Sequence, residues 1–394
     1  MKITFFVSSL GGGGAEKMML RLAEHAAVAG HSVDLLITRK EGDHLNNIPK
    51  GLNVVVLAKS SRVKGLIKVL TSCSNPLRFI SLLKLPRFLT VLQSTSHYYV
   101  KRKPDLVIST LHTCNLANIM ARECTQSNTK VIVRECIQLT SFIQSVPSRE
   151  KTLLPFIKLL YPLADKVVSV AKQVEDDLLT HINVAEGKSL FIYNPVIGPD
   201  FHKKANMPVG VKWLNDKDTY VILGAGRLSK QKDFSTLIEA FSIVKPKSPN
   251  MKLLIIGEGE QRVSLQKQVD KLNLTDSVTL FGFVDNPLSY MSKADLFVLP
   301  SLLEGAPNVL VEAMASGCQV ISTDSPGGAS ELLKNGEYGN LVPMQDPSIL
   351  AKNIFRVYKT NNPNRKGQKF ALGLTMESSL NQYVRSCFPV KSQT

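Results

Sequence analysis

Residues 296–315 read LFVLPSLLEGAPNVLVEAMA. The apolar run Leu296–Pro300 predicts a buried strand, and the segment Pro307–Ser316 predicts a helix with apolar residues at helical spacing. Pro307 suits the start of that helix, because its missing N–H would be unpaired there in any case. A strand that leads through a short loop into a helix is the building unit of a parallel sheet covered by helices.

The loop before this helix predicts an anion site. Backbone N–H groups point outward from the start of a helix, and the positive end of the helix dipole favours phosphate. Gly305 lets a ligand approach the backbone closely, because it has no side chain. The candidate residues of this site are Gly305, Ala306, Pro307, Asn308, Val309 and Leu310.

Two carboxylates lie beside the predicted anion site. Glu304 lies in the loop, and Glu312 lies in the helix that follows. The acid–base pair of a glycosidase must lie on opposite sides of one bond. Here both carboxylates lie on one side of the phosphate site, which suits the recognition of hydroxyl groups better.

Strands alternate with helices along the chain, and the pattern restarts after a Pro- and Gly-marked linker. The first domain begins with the apolar run Ile3–Val7 and the second with Tyr220–Gly224. We therefore predict an α/β protein of two Rossmann-like, doubly wound domains that face each other across a cleft. The predicted domains are 1–195, with the tail 375–394 packed back on it, and 196–374.

Gly-rich turns follow the first strand of each domain. Gly224–Lys232 reads GAGRLSKQK and can bring Arg227 and Lys232 beside a diphosphate. It is neither a Walker A loop nor a complete G-x-G-x-x-G fingerprint, which makes an NAD-dependent enzyme the weaker alternative. In the first domain, Gly13 and Gly14 would let a bulky group approach the backbone.

The charge of the chain predicts an anionic partner. Its 394 residues include 48 Lys and Arg against 32 Asp and Glu, a net charge of +16. The stretch 59–103 contains ten basic residues and no acidic one. Apolar residues make up 44% and charged residues 20%, which excludes a mostly disordered, collagen-like or coiled-coil chain.

Cysteines and apolar runs indicate the compartment. The six cysteines form no C-x-x-C pair, which predicts reduced thiols in a cytosolic protein. No apolar run reaches the roughly 18–20 residues that cross a membrane. The start MKITFFVSSL is interpreted as a strand before a Gly turn rather than a signal peptide, because no small-residue cleavage site follows.

Together these segments resemble the family four glycosyltransferases of GT-B architecture. The resemblance is strongest over Tyr220–Pro347 and extends to the N-terminal turn and the linker. It rests on the following segments: SLGGGGAEKMMLRLA (9–23), IYNPV (192–196), GRLSKQKDFSTLIEAF (226–241), IIGEGEQR (255–262), the E-x7-E pair Glu304/Glu312 and GGASELL (327–333).

The resemblance implies a nucleotide-sugar donor, expected to be UDP-linked, bound mainly by the second domain. Glu304 would contact the hydroxyls of the donor sugar and Glu312 the ribose. Arg227 and Lys232 would hold the pyrophosphate together with the Asn308–Leu310 amides. Enzymes of this type retain the anomeric configuration, and we expect neither a bound metal nor a cofactor beyond the nucleotide-sugar co-substrate.

One position departs from the family's pattern. Many members have a histidine after the strand that corresponds to Lys130–Val133, whereas Arg134 and Glu135 follow it here. His112, after the strand Leu106–Ser109, is the nearest alternative, and a plain packed histidine is its other interpretation. The candidate catalytic residues are Glu304, His112, Arg227 and Lys232.

The basic stretch 59–103 mixes Leu, Ile and Phe with Lys and Arg, notably in Gly65–Leu70 and Phe79–Leu92. These segments are interpreted as basic amphipathic helices that lie on an anionic membrane surface. A solvated basic face is the alternative. A nucleic-acid partner is not expected, because only Tyr98 and Tyr99 add aromatic side chains for stacking.

We therefore predict a hexosyl- or N-acetylhexosaminyltransferase of bacterial surface-glycan synthesis. Its acceptor would be a saccharide or a lipid-linked saccharide. It is expected in the cytoplasm, as a peripheral protein on the inner face of the plasma membrane. The alternative is a non-catalytic nucleotide-sugar-binding subunit of another transferase.

Overall fold

The computed structural model describes residues 1–11, 14–42, 45, 48–141, 152–360 and 363–389. It divides the chain into two compact units. The N-terminal unit comprises Met1–Pro195 and the chain from Met376 onward, and the C-terminal unit comprises Val196–Thr375. Each unit contains one parallel sheet with helices, so the predicted two-sheet α/β fold class is confirmed.

The N-terminal sheet has the strand order β3-β2-β1-β4-β5-β6-β7, and all its strands are parallel. The strands are β1 Lys2–Val7, β2 Ser32–Ile37, β3 Leu52–Val56, β4 Leu106–Thr110, β5 Lys130–Glu135, β6 Lys166–Ser169 and β7 Ser189–Phe191. The α-helices among the described residues of this unit are α1 Gly14–Val28, α2 Arg62–Ser72, α3 Leu89–Arg102, α4 His112–Thr125, α5 Leu154–Leu160 and α6 Lys172–Ile182. Short 3₁₀ helices span Pro76–Lys84, Tyr161–Leu163 and Glu186–Lys188.

The C-terminal sheet has the order β10-β9-β8-β11-β12-β13 and is also parallel. The strands are β8 Tyr220–Ala225, β9 Met251–Ile256, β10 Val278–Gly282, β11 Leu296–Leu299, β12 Gln319–Thr323 and β13 Asn340–Val342. The α-helices are α7 Phe201–Ala205, α8 Phe234–Val244, α9 Arg262–Lys271, α10 Leu288–Met291, α11 Asn308–Ala315, α12 Ala329–Leu332, α13 Pro347–Thr360 and α14 Arg365–Leu372. Short 3₁₀ helices span Lys212–Asn215, Lys230–Lys232, Lys245–Lys247 and Lys334–Gly336.

The strands are apolar on both sides because helices cover both faces of a doubly wound sheet. In β1, every residue from Ile3 to Val7 is buried. The amphipathic α1 packs its buried face, which includes Met18 and Leu22, onto β1 and β2. In both sheets, strand order reverses between the first and fourth strands of the unit, which places a crevice at the carboxyl ends of those strands.

The predicted helix over Phe79–Leu92 is wrong. The 3₁₀ helix Pro76–Lys84 ends before Leu85, which has a left-handed conformation with φ 50°, and α3 begins only at Leu89. Pro86 explains the break. It has no N–H to donate, and its ring disfavours a right-handed helical conformation for the residue before it.

The closing helix α15, Met376–Cys387, packs on the N-terminal unit. Tyr383 is buried there and accepts a hydrogen bond from the guanidinium of Arg134 at the end of β5. The hydroxyl of Ser379 also donates to the carbonyl of Tyr193 at 3.3 Å. Side chains spaced three to four residues apart thus anchor one face of α15.

Within the described residues, no helix is long and apolar enough to cross a membrane. All six cysteines are free thiols. Two of them, Cys73 and Cys124, bring their sulfur atoms to 3.3 Å from each other in the core of the N-terminal unit.

A buried carboxylate ties α3 to the N-terminal sheet. Asp34 in β2 accepts hydrogen bonds from the Tyr98 hydroxyl at 2.6 Å and from Asn53 Nδ2 at 2.7 Å. The Arg102 guanidinium adds two bonds, at 2.8 and 3.0 Å. Burial acts to raise the pKa of Asp34, but the bonds from Arg102, Tyr98 and Asn53 together lower that pKa below its ordinary value of 3.8.

Asp34→Asn is expected to lower the free energy of unfolding at neutral pH by about 2 kcal/mol, because it removes the charge that three donors share. The pKa of Asp34 is lowered in the folded state. Its stabilisation is therefore complete above the ordinary pKa of 3.8 and is lost as the pH falls below that value. Urea unfolding of both proteins should show a gap that narrows below about pH 4.

The exposed Asp176 on α6 provides the matched control. Asp176→Asn should change the free energy of unfolding by no more than about 0.5 kcal/mol at any pH tested. If the gap between wild type and Asp34→Asn stayed constant from neutral to acidic pH, the ionised state of Asp34 would not be the stabilising one.

Candidate active site

The candidate site lies at the carboxyl edge of the C-terminal sheet, between β8 and β11. These are the first and fourth strands of the unit, so their following loops diverge and leave room for a ligand. The loop after β8 carries Arg227 and Lys232, and the loop after β11 carries Glu304. The topology therefore brings the two sequence motifs to one place.

Backbone and side-chain hydrogen bonds join the two loops. The N–H of Leu302 donates to the carbonyl of Gln231 at 2.8 Å. Gln231 Nε2 donates in turn to the carbonyl of Leu303 at 2.7 Å. These bonds hold the β11 loop against the 3₁₀ turn that carries Lys232, so the two functional side chains have a rigid support.

A third loop, after β12, closes on the loop of Glu304. The N–H of Glu304 donates to the carbonyl of Pro326 at 3.1 Å, and the N–H of Gly328 donates to the carbonyl of Gly305 at 2.5 Å. Gly327 has φ 122°, and a Cβ there would lie 1.9 Å from the carbonyl oxygen of Glu304. Only glycine fits this approach, which explains Gly327, the first glycine of the motif GGASELL.

Lys232 and Glu304 form a largely buried ion pair. Lys232 Nζ lies 2.5 Å from Glu304 Oε1, and the two side chains are 18% and 9% exposed. The lysine stem passes over Gly226, where an added Cβ would lie 3.4 Å from Lys232 Cε. A cation and a carboxylate held together at a loop edge can contact a diphosphate and a hydroxyl group of one ligand.

The helix start differs from the sequence prediction in two details. Helix α11 begins at Asn308, and Pro307 precedes it in an extended conformation with ψ 98°. The N–H of Leu310 donates to the carbonyl of Pro307 at 3.0 Å, because the first turn closes there. In this geometry the Leu310 amide does not serve a ligand. Glu312 lies one turn into α11 with a buried side chain.

The other predicted donor-binding residues are divided between the two units. Arg227 is exposed on the loop after β8. Gly14 is exposed and begins α1 in the N-terminal unit, while Gly13 lies outside the described residues. Burial raises the pKa of Asp233, which follows Lys232, although bonds with Thr236 oppose that rise.

His112 lies at the corresponding edge of the N-terminal sheet. It begins α4 directly after β4, the fourth strand of that unit. His112 Nε2 is 3.4 Å from Glu135 Oε2 at the end of β5, and the two side chains are 15% and 4% exposed. Arg134, one residue earlier, points to the opposite face of the strand and hydrogen-bonds Asn194. The Arg–Glu sequence is therefore not an ion pair but two separate contacts.

Sequence reasoning missed the residues that support these side chains. The sequence motifs assign no role to Gln231, Tyr161 or Asn115. Tyr161 donates to Glu135 Oε2 at 2.9 Å and accepts from Asn115 Nδ2 at 3.0 Å. A polar residue inside an otherwise apolar helical face, such as Asn115 in α4, was the available signal.

The chain matches two protein-family models. One is described as Glycosyltransferase Family 4 and covers residues 12–197, and the other is described as Glycosyl transferases group 1 and covers residues 211–371.

Similar proteins match either most of the chain or about a third of it. The N-acetylgalactosamine-N,N'-diacetylbacillosaminyl-diphospho-undecaprenol 4-alpha-N-acetylgalactosaminyltransferase of Campylobacter jejuni is 30% identical over 360 residues, 90% of this chain and 89% of that protein. The capsular polysaccharide biosynthesis glycosyltransferase CapM of Staphylococcus aureus is 38% identical over 145 residues, 36% of this chain and 37% of CapM.

Solved structures show the same fold. Anabaena HepE in complex with UDP has a TM-score of 0.75 at 18% identity and covers 99% of this chain and 100% of that one. The lipopolysaccharide outer core galactosyltransferase WaaB has a TM-score of 0.70 at 18% identity and covers 98% of this chain and 99% of that one. The fold is thus that of GT-B glycosyltransferases. The chain belongs to the family 4 glycosyltransferases and is a glycosyltransferase enzyme.

Gly327→Ala is expected to destabilise the C-terminal unit by about 3 kcal/mol. The new methyl group would overlap the Glu304 carbonyl, and alanine is strained at this positive φ. Thermal unfolding should show the loss.

Gly210→Ala is the control in the same unit, because a Cβ there meets no atom within 4 Å. Its melting temperature should equal that of the wild type. If Gly327→Ala were equally harmless, the close approach of the two loops would not exist in solution.

Proposed function

We propose that this enzyme transfers a sugar from a UDP-linked donor to a saccharide or lipid-linked saccharide of a bacterial surface glycan. The transfer retains the anomeric configuration. The observation that carries the proposal is the buried Lys232–Glu304 pair at the strand-order reversal of the C-terminal sheet, with a helix start beside it. A nucleotide sugar offers a diphosphate and hydroxyl groups, the two chemistries that this pair can bind.

The charge of each side chain determines which part of the donor it binds. Lys232 and Arg227 bind the diphosphate, and the positive end of α11 adds to their field. Glu304 accepts hydrogen bonds from the donor sugar, and Glu312 accepts from the ribose. The acceptor oxygen bonds to the anomeric carbon as the bond from that carbon to the diphosphate breaks. The acceptor proton leaves with the diphosphate, whose charge the cations stabilise.

Similar proteins support the lipid-linked acceptor and the uridine nucleotide of this proposal. The Campylobacter relative bears diphospho-undecaprenol in its name, which supports a lipid-linked acceptor. HepE was solved with UDP, which supports a uridine nucleotide. We also propose that the reaction needs no bound metal, because two cations and a helix start can neutralise the leaving diphosphate. His112 in the N-terminal unit is the proposed acceptor-side catalytic group.

Lys232→Ala is expected to weaken UDP binding by about 10- to 100-fold, because it removes a charged donor to the diphosphate. Glu304→Ala should abolish sugar transfer while leaving UDP binding within a few fold, because the carboxylate contacts the sugar. Thermal-shift titrations with UDP, GDP and ADP measure the first effect through linkage. Transfer assays in EDTA with a panel of nucleotide sugars and an undecaprenyl-diphosphate saccharide measure the second.

Lys230→Ala is the matched control, since Lys230 is exposed on the same 3₁₀ turn. It should bind UDP and transfer sugar as the wild type does, and full activity is expected in EDTA. The proposal fails if no nucleotide stabilises the protein and no donor in the panel is turned over.

A second part of the proposal concerns the basic stretch 59–103. The segment Pro76–Lys84 is 3₁₀-helical with a kink at Phe79. Leu77, Ile80 and Leu83 are all more than half exposed on this segment. Arg78 and Lys84 are exposed beside them. The outward face of this helix is thus apolar with a cationic border.

Helix α2 has a similar outward face. Val63, Ile67 and Leu70 recur at spacings of four and three residues and are exposed. The opposite face is tightly packed, because a Cβ on Gly65 would lie 2.2 Å from the carbonyl oxygen of Leu89 in α3. Arg62 and Lys64 are exposed beside the apolar stripe.

We propose that these two faces bind an anionic lipid bilayer. Soluble proteins rarely expose neighbouring apolar side chains in such number, and a cationic border favours anionic headgroups. The enzyme would then work as a peripheral protein on the cytoplasmic face of the plasma membrane, where it meets a lipid-linked acceptor.

The double variant Leu77→Asp/Leu83→Asp is expected to lower binding to phosphatidylglycerol vesicles by at least about tenfold, because burial of each leucine contributes about 1.5–3 kcal/mol. Vesicle co-sedimentation measures the bound fraction. Added salt should also weaken binding, since the headgroup attraction is screened.

Val28→Asp changes an exposed apolar residue of α1 in the same unit and should leave vesicle binding unchanged. Full binding by the double variant would show that this face is not a membrane surface. Equal binding of the wild type to neutral phosphatidylcholine vesicles would show that the face does not select anionic headgroups.

A further inference from the structure

His112 occupies a strained corner of the N-terminal sheet. The residue before it, Leu111, has φ 71° although it is neither glycine nor asparagine. Such conformations cost about 1–3 kcal/mol and persist where the surroundings enforce them. Here the corner turns the chain sharply from β4 into α4 and places the imidazole against the end of β5.

Glu135 is the group that the imidazole meets. Its side chain is 4% exposed, and a buried carboxylate needs hydrogen-bond donors. The N–H of Cys136 donates to Oε1 at 3.0 Å, and the Tyr161 hydroxyl donates to Oε2 at 2.9 Å. His112 Nε2, at 3.4 Å from Oε2, is the third group beside this carboxylate.

The orientation of Tyr161 is itself determined. Asn115 Nδ2 donates to the Tyr161 oxygen at 3.0 Å, so the phenol proton points to Glu135. Burial, chiefly, raises the pKa of Tyr161 well above its ordinary value, so the phenol stays protonated. A chain of neutral donors thus runs from α4 through Tyr161 to Glu135 and holds the carboxylate beside His112.

We propose that Glu135 is a positioning residue that holds the imidazole of His112 with its Nε2–H towards the carboxylate. The inference rests on the proposed function for its link to transfer, but the geometry of the pair does not. Tyr161 and Asn115 support it indirectly through Glu135.

Several charged or titratable groups surround the imidazole besides Glu135. Arg134 and Cys136 flank Glu135 on β5, and Tyr161 follows α5. Glu16 in α1 and Arg39 after β2 act electrostatically on cysteines of this region. The N-terminus of α4 also bears on His112 and opposes its protonation. Among the residues that the structure describes, Glu135 is the carboxylate in contact with the imidazole, so its removal should dominate any change in the titration of His112.

The first test is the titration of His112 by NMR in the full chain labelled with ¹⁵N-histidine. The resonances that disappear in His112→Gln identify the ring among the seven histidines. In the wild type, the neutral ring should be the Nε2–H tautomer. In Glu135→Gln, the midpoint should fall by about one pH unit or more, because an opposite charge in contact favours the protonated ring.

The second test is kinetic. Glu135→Gln should lower kcat of sugar transfer by about tenfold or more and leave the UDP affinity within about twofold of the wild type. Glu123→Gln is the matched control, because Glu123 lies in α4 and pairs with Arg122. It should change neither kcat nor the UDP affinity. Tyr161→Phe should lower kcat to a smaller extent, because it loosens Glu135 without removing its charge. Because Tyr161→Phe keeps the buried ring, its kcat can be measured instead if Glu135→Gln does not fold.

An Nδ1–H tautomer in the wild type, or an unchanged His112 midpoint in Glu135→Gln, would overturn the positioning role. A lower kcat accompanied by an altered UDP affinity would overturn it too, since a general structural defect changes both quantities. The NMR arm needs no acceptor. If the wild type shows the expected titration but transfers no sugar, the result would therefore count against the proposed function and not against the pair of His112 and Glu135.

Discussion

The ion pair between Lys232 and Glu304 spans the point where strand order reverses in the C-terminal sheet, and the rest of the candidate donor site depends on it. Right-handed crossovers send successive strands to opposite sides of β8 and β11, so the loops after these two strands separate. The pair joins them again across the gap. Because both charges are largely buried, either one without the other would carry a high desolvation cost. The pair therefore keeps a cation and a carboxylate at one place.

The N-terminal unit repeats this topology with different chemistry. Its reversal lies between β1 and β4, and there an imidazole rather than an ammonium group stands beside a buried carboxylate. The pair of His112 and Glu135 has neutral donors behind it instead of further cations. A helical segment between β3 and β4, with α2 and α3, adds an exposed basic and apolar face. One architecture thus supports the proposed diphosphate site, the proposed acceptor site and the proposed lipid-facing surface.

Local patterns predicted much of this structure. The strands, the loop of Glu304 and helix α11 follow from apolar periodicity and from loop residues next to each other in sequence. The errors were also local. Pro86 breaks the helix that amphipathicity alone predicted, and the first turn of α11 uses the Leu310 amide itself. The support of Glu135 was not predictable in this way. Tyr161 lies 26 residues beyond it, and no periodicity relates the two.

The sequence by itself determined the order of strands and helices, the family and the residue types of the donor site, because these depend on short-range spacing. Only the tertiary structure decided which side chains meet. Lys232 and Glu304 are 72 residues apart, and their contact depends on the strand order, which brings the ends of β8 and β11 together. The tertiary structure also decided which apolar ridge of residues 62–84 faces outward. Periodicity is the same for a buried ridge and an exposed one, and only the packing of α3 against α2 distinguishes them.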